Sequence, residues 1–252
     1  MKICYLIPAR YHSTRLPGKP LLKINGISII KRTYNQVLKV KNKGDIFVVS
    51  DDDRIINEVG FEKCIKITRK CINGTERICY ALDKLENNYD LIINVQGDEP
   101  FIDPCNIDYL VEAHLNHELY KIIDDSIDDN IVCMTLHNIL KKNNALNPNI
   151  VKLVLSNNNN ILYASRSVIP GNKKNNLIDN IYNEHIGIFS FNKNFLKKYI
   201  EYQNTTLSQI EDIEWLKILE MGYKIKSFQI PGNHEIGVNT KKDYEYLINK
   251  YS

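Results

Sequence analysis

Apolar and polar positions change period repeatedly along this chain, and the changes mark its elements. Ile3-Cys4-Tyr5-Leu6-Ile7 is an unbroken apolar run closed by Pro8, the pattern of a strand buried on both faces. Ile29, Ile30, Thr33, Val37 and Val40 then recur near helical spacing and predict a first helix. Ile46–Val49 predicts a second strand, and Ser50-Asp51-Asp52-Asp53 supplies caps for a short helix through Val59, with a weaker ribose-binding claim for Asp51. Lys63–Ile67 reads as a short third strand. Asn73 with Glu76 forms a capping box ahead of Ile78, Ala81, Leu82 and Leu85. Leu91–Gln96 is almost continuously apolar, as a central strand covered on both faces should be.

In the second half, Asp103-Pro104 predicts a helix to about His114, and Ile131–Leu136 a strand. Val151–Leu155 and Ile161–Arg166 flank the Asn157–Asn160 turn as a hairpin, and His185–Phe191 is a further strand. Ser208 and Glu211 predict a second capping box opening one helix over Ile210, Ile213, Leu216, Ile218 and Leu219, ended by Gly222. Lys224–Ile230 is the last strand, and a last helix starts at about Lys241. Strands alternating with helices predict an α/β fold with a largely parallel sheet.

Composition narrows the classes. The 252 residues are 43% hydrophobic and 25% charged, enough for a substantial core without staples. A net charge of +3 with no basic, aromatic-interleaved run argues against a nucleic-acid partner. No apolar stretch has the length of a membrane span, and Met1-Lys2-Ile3 enters a strand rather than a signal peptide. The six cysteines show no CxxC or zinc spacing; Cys4, Cys79 and Cys133 sit among apolar neighbours, which predicts free thiols in a reducing, cytoplasmic setting. Asp124, Asp125, Asp128 and Asp129 read as a solvated acidic loop.

The chemistry concentrates in two stretches. Ile7-Pro8-Ala9-Arg10-Tyr11-His12-Ser13-Thr14-Arg15-Leu16-Pro17-Gly18-Lys19-Pro20 follows the first strand, so it lies at the carboxyl edge where α/β sheets bind ligands. Arg10, Arg15 and Lys19 on proline-stiffened backbone suit a polyphosphate, although the loop is neither a Walker A sequence nor a GxGxxG fingerprint. Asp98 stands just beyond the central strand at the same edge, where a carboxylate plus substrate phosphates can hold Mg²⁺; Glu99 is expected to order the turn before Pro100.

These two motifs, Ile7 to Pro20 and Asn94-Val95-Gln96-Gly97-Asp98-Glu99-Pro100-Phe101-Ile102, resemble those of sugar nucleotidyltransferases that activate ulosonic acids. The chain looks most like the 3-deoxy-manno-octulosonate cytidylyltransferase (CMP-Kdo synthetase) family, over nearly its whole length. The resemblance implies a Rossmann-like, GT-A-like nucleotidyltransferase fold: a largely parallel central sheet with helices on both faces. It implies one domain over residues 1–252, with a β-rich dimerisation excursion at approximately residues 150–200. It further implies transfer of CMP from CTP to a 2-keto-3-deoxy sugar acid with release of pyrophosphate, a Mg²⁺ cofactor, a homodimer, and a place in lipopolysaccharide biosynthesis.

Residue by residue, the resemblance puts Ala9, Arg10, Arg15 and Lys19 on the triphosphate, and Asn73, Gly74, Thr75 and Arg77 near the cytosine, with Asn73 in place of the usual Ser. Gln96, Arg166, His185 and Glu214 fall where the family holds the sugar acid. Trp215 stands where Gln is expected, so a different acid sugar, an amino-octulosonate or a nonulosonate, stays open. Asp98 corresponds to one metal ligand and Asn239 to the other, because Gly-Val-Asp-Thr is here Gly237-Val238-Asn239-Thr240. The neutral Asn239 leaves a catalytically weakened nucleotide- or sugar-binding homologue as the remaining alternative. Arg10, Arg15, Lys19 and Asp98 are the residues expected to carry catalysis.

Overall fold

In the computed structural model the chain is described except at Thr14, 124–129, Asn175, 231–233 and Ser252, with backbone alone at 120–123. The expected acidic loop at Asp124 to Asp129 lies outside the described residues. The first half contains β1 (Ile3–Pro8), the small hairpin β2 (Lys23–Ile24) and β3 (Ile27–Ser28), α1 (Ile29–Val37), β4 (Asp45–Ser50), α2 (Asp53–Val59), β5 (Cys64–Lys66), α3 (Gly74–Leu82) and β6 (Leu91–Val95). After α4 (Pro104–Ile123) come β7 (Ile131–Leu140), the hairpin β8 (Lys152–Leu155) and β9 (Ile161–Ser165), and β10 (Tyr182–Asn192). The chain ends with α5 (Lys193–Glu201), α6 (Thr206–Ile210), α7 (Leu216–Glu220), β11 (Lys224–Gln229) and α8 (Lys241–Tyr251).

The main path of the sheet runs β11-β7-β10-β6-β1-β4-β5, with β8 and β9 branching from β10. β1 pairs in parallel with both β4 and β6, and β7 with β11, so the sheet is largely parallel as expected. The branching β8 and β9 pair antiparallel, and along the main path β10 is the exception, antiparallel to β6 and β7. That reversal brings the start of β10 to the edge where β1 and β6 end. Of residues 150–200, the β8–β9 hairpin leaves the main path while β10 runs inside it.

Every residue of β1 and β6 is buried, which accounts for their continuous apolar runs. Side chains alternate across the sheet. Cys4 and Leu6 of β1 pack with Ile78, Leu196, Tyr199 and Leu216 of α3, α5 and α7 on one face. Ile3, Tyr5 and Ile7 pack with Ile30, Val37, Ile55, Ile107 and Leu110 of α1, α2 and α4 on the other. A smaller cluster, Ile24, Ile29, Val238 and Leu247, clamps α8 onto the β2–β3 hairpin, helped by the stacked rings of Phe101 and Tyr251 at 3.9 Å. Leu247→Ala there would cost about 2–5 kcal/mol and release the segment that carries Asn239.

Local chemistry sets several boundaries. The Asp52 carboxylate accepts from the Arg54 amide and opens α2. Asn73 accepts from the Glu76 amide at 2.8 Å, and Glu76 reaches back to the amide of Ile72 rather than that of Asn73. α4 continues well past His114 because no Gly or Pro follows Pro104 to stop it.

One predicted helix is divided. The helix predicted from Ser208 is two short helices, α6 and α7, separated at Asp212, whose φ is 52°. Glu220 caps α6, accepting from the amides of Leu207 at 3.0 Å and Ser208 at 3.2 Å. Glu211, assigned that role from spacing, turns to β9 instead: it accepts from Ser165 Oγ at 2.7 Å and the Arg166 amide at 2.9 Å. The long-range partners outcompete the local one.

Candidate active site

Because β1 and β6 are parallel neighbours, the loops after them emerge side by side. Gly97 permits this: a Cβ there would lie 2.7 Å from the Pro8 carbonyl oxygen. The Arg10 to Lys19 loop and the Asp98 turn therefore line the same cleft, of about 400 Å³. Arg10 and Arg15 are exposed at its mouth, and Arg15 donates from Nη1 to Asn149 Oδ1 at 3.0 Å. Lys19 Nζ lies 2.5 Å from Asp98 Oδ2 and donates to the Val238 carbonyl at 2.9 Å. The cation expected on phosphate and the carboxylate expected on metal are thus each other's partners here.

The Val238 amide donates to the Asp98 carbonyl at 2.9 Å, which brings the Gly237–Thr240 segment and Asn239 into the cleft. Asp243 accepts from the amides of Asn239 at 3.0 Å and Thr240 at 2.7 Å, so it caps α8. Among the described residues no group of three His, Cys, Asp or Glu side chains surrounds one point. One carboxylate beside a neutral amide fits Mg²⁺ that brings phosphate oxygens and waters with it, not an ion held by protein alone. Glu99 is wedged between Gly187 and Gly237, where added Cβ atoms would lie 2.7 and 2.8 Å from its Oε1. Burial, then the neighbouring Asp98, pushes its carboxyl well above the usual range.

On the wall formed by the start of α3, Asn73, Gly74 and Arg77 line the cleft. Thr75 does not: it is buried, and its hydroxyl donates to Glu214 Oε1 at 2.8 Å. Glu214 also accepts from the Gly74 amide at 2.8 Å, so its carboxylate holds this loop in place. Arg77 is 4% exposed and pairs with Asp51 at 3.0 Å, which accounts for Asp51 without a ribose.

Gln96, Arg166, His185 and Trp215 also line the cleft. Arg166 donates from Nε to the Glu211 carbonyl at 2.7 Å, from Nη1 to Pro148 at 3.1 Å and from Nη2 to Asp212 at 2.8 Å. Nη2 also donates to Asp212 Oδ2 at 3.4 Å, so four of the five guanidinium N–H groups are engaged and one, on Nη1, is left for a ligand. His185 Nε2 is 3.0 Å from Thr135 Oγ1, whose own proton goes to the Ile188 carbonyl at 2.6 Å. Nε2 therefore carries the ring proton and Nδ1 is the acceptor. Burial, reinforced by His234 and His137, pushes His185 down to about 3, so it is neutral at pH 7. Trp215, 4% exposed, packs against His185 and Phe189 at ring-centre distances of 5.1 and 6.1 Å.

Sequence reasoning missed Glu184 and His234, which line the cleft 3.8 Å apart. Burial pushes Glu184 up to about 7 and His234 down to about 4. No motif marks either. Only the antiparallel entry of β10 and the return of the chain after β11 bring them there. Asn147 and Asn149 also line the cleft, and their Asn-Pro-Asn turn was the available signal.

A cytidylyltransferase family model matches residues 4–225. The Arabidopsis thaliana 3-deoxy-manno-octulosonate cytidylyltransferase, mitochondrial, is 41% identical over 98% of this chain and 82% of its own. That of Fusobacterium nucleatum is 39% identical over 99% and 96%. The chain belongs to the 3-deoxy-manno-octulosonate cytidylyltransferase family. It is a nucleotidyltransferase, and its fold agrees with a solved CMP:2-keto-3-deoxy-manno-octonic acid synthetase complexed with CTP, at a TM-score of 0.83 and 30% identity over 99% of this chain and 98% of that one. An 8-amino-3,8-dideoxy-manno-octulosonate cytidylyltransferase of Shewanella halifaxensis is 37% identical over 90% and 89%. Among the described residues, no helix is long and apolar enough to cross a membrane.

Proposed function

We propose that this enzyme transfers CMP from CTP to 3-deoxy-manno-octulosonate, with release of pyrophosphate. The observation that carries the reading is one cleft lined by Arg10, Arg15, Lys19 and Asp98 together with Arg166, neutral His185 and Trp215. The anomeric hydroxyl oxygen of the sugar acid bonds to the α-phosphorus as the bond to the β-phosphate oxygen breaks. Catalysis is then positioning and charge neutralisation. Arg10, Arg15 and Lys19 hold the triphosphate and offset charge on the departing pyrophosphate. Asn73 and Gly74 face the base, on a loop held by Glu214. Arg166 keeps one N–H donor for the sugar carboxylate, Gln96 lines the same cleft, and His185 Nδ1 accepts from a sugar hydroxyl.

Asp98, with Asn239 alongside, would hold Mg²⁺, which would supply Lewis-acid polarisation of the phosphate. Six unpaired cysteines support a reducing, cytoplasmic setting. The exposed Leu162 and Ile210, 61% and 76% accessible, support a homodimer, which sedimentation at working concentration tests.

Pyrophosphate release from CTP and 3-deoxy-manno-octulosonate across Mg²⁺ concentrations tests the reading; absence of release at every concentration overturns it. A second reading, an amino-substituted octulosonate, is favoured by Glu184, a carboxyl in the cleft able to meet an ammonium group. A higher kcat/KM for the 8-amino sugar in the same assay would select it.

A further inference from the structure

Lys152 is 0% exposed although it carries a charge. It opens β8, and its ammonium donates to three main-chain carbonyls: Asn147 at 3.0 Å, Ile150 at 2.8 Å, and Arg166. An ammonium has three N–H donors and no acceptor, so these bonds use its whole capacity. Burying a charge is costly, and all three of these acceptors are neutral. A plain core position would be better filled by an aliphatic side chain. What the lysine achieves is a junction between the two segments that flank the β8–β9 hairpin.

Both segments line the cleft. Asn147 and Ile150 bracket the turn whose Asn149 holds Arg15, and whose Pro148 carbonyl accepts from Arg166 Nη1 at 3.1 Å. The third carbonyl belongs to Arg166 itself, just past the end of β9. Lys152 thus fixes the main chain of Arg166 and the turn that orients its guanidinium. We propose that Lys152 is a positioning residue, tethering the 147–150 turn to Arg166 and so setting that guanidinium for the sugar-acid carboxylate. The inference rests on the proposed function, in which Arg166 takes that carboxylate. Burial lowers the Lys152 ammonium to about 8, consistent with a group stripped of water.

Steady-state pyrophosphate release tests it. Lys152→Met keeps the length and removes the donors. The KM for 3-deoxy-manno-octulosonate should rise about tenfold, while the KM for CTP and kcat each change less than about threefold. In an Arg166→Ala background the same substitution should add less than about twofold, since it acts through Arg166. Lys152→Arg keeps the charge but offers a planar fork instead of a tripod; it should show a smaller, equally selective rise, and serves if the Met variant does not fold. A uniform loss in both KM values and kcat, or full additivity with Arg166→Ala, overturns the proposal. If the wild type releases no pyrophosphate from this sugar acid, the functional reading fails separately. Amide exchange then decides the tether: Lys152→Met should speed exchange at Ile150 and Arg166 about tenfold with β1 and β6 unchanged, and unaltered protection there overturns it.

Discussion

The two ends of the cleft are built differently. The phosphate end comes mainly from two contiguous stretches, each following a fully buried parallel strand and joined by the Gly237–Thr240 segment; Arg10 is exposed there, and Arg15 reaches Asn149 of the 147–150 turn. The sugar end is assembled from the 147–150 turn, the end of β9, the reversed start of β10 and the break between α6 and α7. There, polar side chains mostly satisfy one another: Glu211 holds Ser165 and Arg166, Glu214 holds Gly74 and Thr75, and Lys152 holds three carbonyls. A change at the first end should therefore alter chemistry with little effect on folding. A change at the second should alter both.

Lys19→Ala gives the sharpest contrast. Losing one preorganised charge-stabilising donor costs about 2.7–4 kcal/mol of transition-state stabilisation, a fall of 10²–10³ in kcat. Near-wild-type turnover with CTP would break the phosphate-end reading. Because Lys19 also ties Asp98 to the Val238 carbonyl, Tm should drop slightly rather than not at all. Trp215→Gln is next. Removing a buried Trp to Ala costs about 3–5 kcal/mol, and the larger Gln should recover part, leaving about 2–3 kcal/mol of destabilisation. Preference among acid sugars should shift too, with CTP affinity held. Urea unfolding paired with a sugar panel checks both, and a pure stability loss would make Trp215 a packing residue only.

Glu214→Gln tests whether a sugar-end carboxylate acts on the nucleotide. The amide cannot accept from both the Gly74 amide and the Thr75 hydroxyl, so the KM for CTP should rise about tenfold, about 1.4 kcal/mol. Its effect on the sugar-acid KM should be smaller. A reversed ranking would place Glu214 on the sugar.

The buried histidines give the sugar end an acid sensitivity. His185 and His234 titrate near 3 and 4 when folded, below the ordinary 6.5, so the unfolded chain binds more protons between those values. Their stabilising effect is complete above pH 6.5 and is lost as pH falls toward 4. Glu184, raised to about 7, has the opposite sign: its contribution is present below about 4.5 and is lost as pH rises past 7. His234→Gln should flatten the acid limb by at most about 1.4 kcal/mol per pH unit between pH 6.5 and 4. Unfolding free energies across that range provide the check; an unchanged slope would mean that His234 titrates normally. The smallest effect belongs to Asn239→Asp. An added carboxylate should move the Mg²⁺ titration of turnover to lower concentration by a few-fold, under about 1 kcal/mol. An unmoved titration would leave Asn239 outside the metal's reach.

By itself, the sequence determined the main strands, the largely parallel sheet and the two loops of the phosphate end, while the β2–β3 hairpin and α5 went unmarked. Each is a local fact: a continuous apolar run is a strand buried on both faces, and the loop after a parallel strand lies at the carboxyl edge of the sheet. The spacing Ser208 to Glu211 misled because a capping box competes with partners that only folding supplies, here Ser165 and the Arg166 amide. Tertiary structure alone decided that Lys19 meets Asp98 across 79 positions, that Glu214 reaches back 140 to Gly74, and that Glu184 and His234 share the cleft. A buried charge or amide takes whichever partner the packed core leaves within reach, and reach between distant segments depends on strand order and direction, which no local period encodes.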